Sequence, residues 1–190
     1  DPKVDRGDST AWYAGFWAFL AGYLGKRFGT NYCLNPEASL LLHTGNTVVP
    51  RQVVVTIAKG GAGVLNLPFD TSLLLYPDRK RLPKARSQVR GLQTFTLPEA
   101  LCLLPPSFFQ SHARDAQVAL GMVRDVADLI AVLVEGDGLA SAAGRLAGAL
   151  RFMGRGNEAD RILDITGRTL LRVNEQNPFD AKVPFLGTAR

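Results

Sequence analysis

The segment Asn35-Pro36-Glu37-Ala38-Ser39-Leu40-Leu41-Leu42-His43, with Val53-Val54-Val55-Thr56-Ile57 ten residues beyond it, constrains this chain more than any other feature. Pro36 carries the fixed φ of a first helical residue, Asn35 can accept from the free N–H groups of the first turn, and Glu37 suits the positive end of the helix dipole. A helix of one to two turns therefore runs into a Gly45-Asn46 turn. The β-branched run that follows reads as a buried strand, because stiff branched side chains suit a pleated surface. A capped helix feeding a strand demands an α/β arrangement. Nothing in this unit can do covalent chemistry.

Helical spacing places Trp12, Phe16, Leu20 and Tyr23–Leu24 on one face of a helix from about Thr10 to Arg27, capped by Ser9. Tyr13, Trp17 and Phe19 widen that face, and the stripe reads as core rather than as a ligand-stacking surface. Asp1 to Asp8 is polar and reads as the end of a linker, not a signal peptide; a start at Asp1 rather than Met fits a piece of a longer protein. The uncharged stretch Ala11–Gly25, fifteen residues with three glycines, is too short to span a membrane.

Tyr32–Leu34, Val53–Ala58, Val64–Leu67, Thr71–Tyr76 and Leu92–Phe95 read as strands, and Lys59–Gly63 as a hairpin turn between two of them. Thr96 and Glu99 form a capping-box pattern that opens a helix through Leu104, ended by Pro105-Pro106. Beyond it come one long helix over Arg114–Val134, a second over Leu139–Met153, and a third from about Glu158 to Gly167, capped by Asn157. Asn174–Arg190 reads as an extended, loosely attached tail. Strands first and helices after give an α+β fold: a small mixed or antiparallel sheet, running from Val53 to Phe95, packed against a long N-terminal helix and a C-terminal helical segment. The corresponding division is a sheet domain over 1–104, a helical segment over 105–173 packed on it, and a tail over 174–190. With 46% hydrophobic residues among 190, the chain can bury a real core.

Charge is the strongest functional signal. Arg79–Arg90 holds six of the 22 basic residues and no acid, and without it 16 basic residues face 17 acidic ones. The net charge of +5 is therefore the property of one loop. Arg79, Lys80, Arg81, Lys84, Arg86 and Arg90 are the candidate nucleic-acid contacts, since clustered Arg and Lys neutralise phosphates. No aromatic residue interleaves them, so stacking on single strands is not indicated. A solvated connecting loop is the alternative.

Covalent and metal chemistry find little to work with. Lys59-Gly60-Gly61-Ala62-Gly63 lacks the Gly-Lys-Ser/Thr ending of a phosphate loop and precedes a strand. His43 and His112 have no second ligand at metal spacing. Ser39 and Ser72 stand in no nucleophile elbow. Asp125 and Asp128 read as a solvated helix face. Cys33 and Cys102 match no CxxC spacing and read as buried free thiols of a reducing cytoplasm. The expectation is no catalytic residue, no cofactor, no metal and no membrane partner within this chain.

The order of elements from Gly15 to Met153 resembles the C-terminal domain of AbiEi-type antitoxins and AbiEi-like regions beside Fic domains in bacterial proteins. Phe16–Leu20 resembles the helix leading out of a winged helix, and Tyr32–Leu34 with Ala38–His43 the family's strand and Ser-Ala-Leu type helix. Val53–Thr56 resembles its next strand, and Leu92–Leu101 its late strand and capped helix; Ala100 stands where the family motif has Arg. Ala143–Leu150 with Asn177-Pro178-Phe179 is similar to what precedes the Fic domain in longer proteins. The resemblance implies DNA, and a toxin or a fused Fic or nucleotidyltransferase domain, as partners. The Fic catalytic motif is not in this sequence: no His precedes Pro-Phe.

The resulting expectation is a cytoplasmic, non-enzymatic regulatory domain of an antitoxin-like or Fic-associated protein, acting in transcription regulation through DNA. A second is a protein-interaction module controlling a neighbouring Fic or nucleotidyltransferase domain, with an exposed apolar patch on the Leu139–Met153 helix. A third is an enzyme using His43 and the Gly60–Gly63 turn.

Overall fold

The computed structural model describes residues 9–170, 172–180 and 182. The expected linker Asp1–Asp8 and the end of the expected tail lie outside the described residues. The fold is α+β, with a four-stranded mixed sheet, a separate two-stranded hairpin and a C-terminal helical layer.

Helix α1 (Ser9–Phe28) buries Phe16, Trp17, Leu20 and Leu24. It ends where Gly29 takes a positive φ of 61°, a backbone conformation that costs glycine little. Tyr13 and Phe19, expected in the core, are each 42% exposed. The exposed aromatics fall in two pairs instead: Trp12 lies 5.3 Å from Phe19, and Tyr13 lies 6.3 Å from Phe69 and donates to its carbonyl. The helix is wide enough in apolar residues to cover more than the sheet can bury.

Strands β1 (Tyr32–Leu34), β2 (Gln52–Ile57), β3 (Gly63–Leu67) and β4 (Thr71–Pro77) form the sheet in the order β1-β2-β4-β3. Alternation directs Val53, Val55, Ile57, Leu73 and Leu75 onto the α1 face. Lys59–Ala62 is not a hairpin turn, because β2 and β3 are not neighbours. β4 lies between them, parallel to β2 and antiparallel to β3. The tight turn is one step later: Phe69 and Asp70 both have positive φ, 55° and 56°, and fold β3 back onto β4.

The expected single sheet from Val53 to Phe95 is also two. Strands β5 (Arg86–Val89) and β6 (Leu92–Phe95) pair only with each other, around Arg90 and Gly91 at φ 51° and 79°. The basic run is thus not one loop. Arg79–Arg81 is a 3-10 turn and its second half is strand β5.

Asn35 caps helix α2 (Pro36–His43), its Oδ1 accepting from the Ala38 N–H at 3.1 Å. Thr96 caps α3 (Leu97–Leu103), accepting from the Glu99 N–H at 3.4 Å. Ser39 joins α2 to the hairpin, donating to the Leu34 carbonyl and accepting from the Phe95 N–H.

The helical layer holds α4 (Pro106–Ser111), α5 (Ala113–Met122), α6 (Ala127–Glu135), α7 (Ala140–Phe152) and α8 (Gly156–Thr169). The expected long helix over Arg114–Val134 is two. Arg155, far along the chain, donates to the carbonyls of Leu120 (2.6 Å) and Val123 (3.0 Å), while Asp125 accepts from the Ala127 N–H and starts α6. Remote side-chain partners for the terminal carbonyls replace the helical bonds they forgo. Asn157 lies within α8 rather than capping it.

Every residue from Ala142 to Leu150 is buried. α7 is therefore the central helix and cannot offer the exposed apolar patch expected of it. The following segment is extended but not loosely attached: the Gln176 N–H donates to the Gly144 carbonyl, and Phe179 is buried between Phe109 and Phe152. No helix among the described residues is long and apolar enough to cross a membrane.

Candidate anion-binding cleft

β2 and β4 run parallel, so both deliver the chain to the same edge of the sheet. There β2 leads outward to β3, whereas β4 leads by the Arg79–Arg81 turn toward the hairpin. Connections that leave one edge in opposite directions open a crevice at the carboxyl ends of the strands. The C-terminal end of α1 and residue Asn31, just before β1, close its other side.

The cleft encloses about 710 Å³ and is lined by five cations, Arg27, Lys59, Arg79, Lys84 and Arg86, without a carboxylate among the lining residues. They come from three stretches of chain: the end of α1, the link after β2, and the continuous run from Arg79 through Lys84 to Arg86 that joins β4 to β5. Among the described residues none of the five is in an ion pair. Arg27 donates to the Tyr23 hydroxyl, and its guanidinium lies 5.4 Å from the Phe28 ring centroid. That contact holds the guanidinium against an apolar platform without neutralising it. Phe28 and Pro83 add an apolar wall, and Asn31 an amide.

Three of the six residues singled out in the sequence, Arg79, Lys84 and Arg86, line this cleft; Lys80, Arg81 and Arg90 do not. Arg81 pairs with Asp78 at 3.3 Å and stands over the Tyr76 ring at 5.8 Å. Arg90 occupies the hairpin turn, roughly 13 Å along an extended strand from Arg86 at about 3.3 Å per residue. Sequence reasoning missed Arg27, one of a Lys26-Arg27 pair in the last turn of α1, and Lys59, a single cation before a glycine-rich link. The available signal was position: each ends an element that points at the same sheet edge.

The remaining polar candidates are tied into the structure. His43 Nε2 donates to the Phe95 carbonyl at 2.8 Å, and the Thr94 hydroxyl, 3.5 Å from the same nitrogen, donates to the Ser87 carbonyl at 3.3 Å. Burial pushes the Cys33 and Cys102 thiols up to about 12; Arg86 near Cys33 and Arg145 near Cys102 pull weakly the other way. Both are inert hydrophobes at neutral pH. Among the described residues no group of three or more His, Cys, Asp or Glu is placed to hold a metal ion. Comparison with known proteins returned no matching family model, no curated relative and no matching solved structure.

Proposed function

We propose that this chain is a non-enzymatic regulatory domain of the AbiEi-like, antitoxin-associated type that holds nucleic-acid phosphate in the cleft between α1 and the Arg79–Arg86 segment. One observation carries the reading: five cations from three stretches of chain, none of them in an ion pair among the described residues, meet in one concavity lined by no acid. Arg27, Lys59, Arg79 and Lys84 are exposed and Arg86 is half-buried, so water screens their mutual repulsion, while the positive potential they sum to would draw an anionic ligand. The engagement of His43 with a main-chain carbonyl and the burial of both thiols support a binding role over a catalytic one.

The test is binding of a labelled short DNA duplex across a salt series. Each phosphate engaged adds about −0.9 to the slope of log K against log salt. Replacing Lys59, Arg79 and Lys84 by Ser should flatten that slope, whereas replacing Lys80 and Arg90 should leave it nearly unchanged. A parent that binds neither the duplex nor its separate 5′-phosphorylated strands at low salt, or cleft variants that bind like the parent, would refute the proposal.

A second reading, an interaction module acting on an adjoining Fic or nucleotidyltransferase domain, is favoured by the exposed pair Tyr13 and Phe69, where the start of α1 meets the β3–β4 turn. Exposed aromatic clusters are where protein partners anchor.

A further inference from the structure

We infer that the cleft selects a terminal phosphate carried on a nucleoside, whether a free nucleoside polyphosphate or the phosphorylated end of a strand, over the internal phosphodiesters of a duplex. The inference rests on the reading of the cleft as a phosphate site and specifies which phosphates enter it.

Shape is the first argument. An open concavity of about 710 Å³ can admit a small anionic group, and a duplex is a convex cylinder. Its phosphates each carry one charge and follow one another at about 3.4 Å of axis per strand. A footprint for such a backbone is a stripe of cations. Here five cations line one concavity; Arg81 pairs with Asp78 at the surface, Arg90 sits at the hairpin turn, and Lys26 and Lys80, exposed beside Arg27 and Arg79, lie outside the lining.

Charge is the second. A terminal phosphate carries about −1.5 to −2 at neutral pH and three strong acceptor oxygens, against a single charge on a phosphodiester. Arg27, Arg79 and Arg86 offer planar forks that match such a group bidentately, and Lys59 and Lys84 add compact charges. Five positive charges with no acid among the lining residues suit two or more linked phosphates better than one internal one.

The third argument is the uncharged wall. Phe28 and Pro83 line the same cleft, as does the exposed side chain of Asn31. An amide presents both a donor and an acceptor, the pairing a base edge reads, and the apolar wall shields one face of the base. A site for bare inorganic anion would need none of these.

The experiment is competition against labelled ATP for the full chain, at moderate salt and without magnesium. Competitors are ADP, AMP, inorganic triphosphate, a short strand with a 5′-phosphate, the same strand with a 5′-hydroxyl, and a duplex closed by hairpins at both ends. Affinity should rise from AMP to ATP. One of the two terminal phosphates, on ATP or on the phosphorylated strand, should outcompete the end-closed duplex by at least about tenfold, the scale of one or two charge-assisted hydrogen bonds. Whichever does so identifies the source. Asn31→Ala, a change of an exposed side chain, should weaken ATP and leave inorganic triphosphate unchanged, while Arg79→Ser with Lys84→Ser should weaken both. Equal binding of ATP and the end-closed duplex would overturn the inference while leaving the phosphate reading standing. Equal binding of inorganic triphosphate and ATP, unaffected by Asn31→Ala, would overturn the nucleoside part. No binding by any competitor would remove both readings.

Discussion

Gly144 lies so close to Asn174 that a Cβ on the glycine would stand 1.8 Å from the asparagine's main-chain oxygen. One turn on, a Cβ at Gly148 would stand 2.1 Å from the Gln176 carbonyl oxygen. The two glycines make a groove along α7 in which backbone packs on backbone. The Gln176 N–H donates to the Gly144 carbonyl at 3.2 Å, and Arg151 ties the segment down by pairing with Glu175 at 2.6 Å while also meeting Asp160 of α8. Phe179 completes the seat, 5.0 Å from Phe152 and 5.9 Å from Phe109 between ring centroids.

Gly144→Ala should therefore unseat this segment. The new methyl meets backbone rather than a flexible side-chain end, so the 172–180 segment must move and Phe179 lose burial. The expected cost is about 1–3 kcal/mol, the range of overpacking in a filled interior. Chemical denaturation measures it, and amide exchange at Gln176 and Phe179 should quicken before global unfolding does. A variant as stable as the parent, with unchanged exchange, would mean that the groove does not hold the segment.

Trp17 tests the other core. It is 5% exposed, packs edge-on against Phe16 at 5.1 Å, and donates from Nε1 to the Thr47 carbonyl at 2.9 Å. Trp17→Ala should cost roughly 3–5 kcal/mol. Trp17→Phe keeps most of the apolar area and forfeits the hydrogen bond, so it should cost about 1 kcal/mol plus a packing adjustment. A loss below about 0.5 kcal/mol for the alanine variant is the size of a surface substitution and would place this face outside the core.

Alkaline conditions should weaken the fold. The thiols of Cys33 and Cys102 have ordinary values near 9.0 and are pushed by burial up to about 12; burial raises the Tyr32 phenol as well, against the lowering effect of the Gln93 N–H. A folded-state pKa above the unfolded one means that the folded chain keeps protons the unfolded chain has released. Stability is then full below pH 9 and falls as pH rises from there toward 12, by up to about 1.4 kcal/mol per pH unit for each thiol. Replacing both cysteines by Ala should lower stability at neutral pH but flatten its decline above pH 9. An unchanged slope in that variant would contradict the assignment.

Local chemistry alone predicted much of the chain. Asn35 and Thr96 cap helices α2 and α3, and Phe16, Leu20 and Leu24 line up at helical spacing. The valines of β2 mark a strand. Each depends on residues no more than four apart, so adjacent side chains and the backbone's own hydrogen bonds decide it. The rest was settled by groups distant in sequence. Continuity from α5 into α6 is lost because the Arg155 guanidinium takes carbonyls 35 and 32 residues upstream, and periodicity carries no trace of that competitor. β2 pairs with β4 rather than with β3, a matter of sheet order that the strands' similar apolar runs leave open. The cleft follows the same division. Sequence determined that Arg79 and Lys84 would be exposed cations, whereas Arg86, expected in the same loop, is half-buried at the start of β5. Only the tertiary structure brought Arg27 and Lys59 beside them, because parallel pairing delivers β2 and β4 to one edge and the end of α1 packs against it.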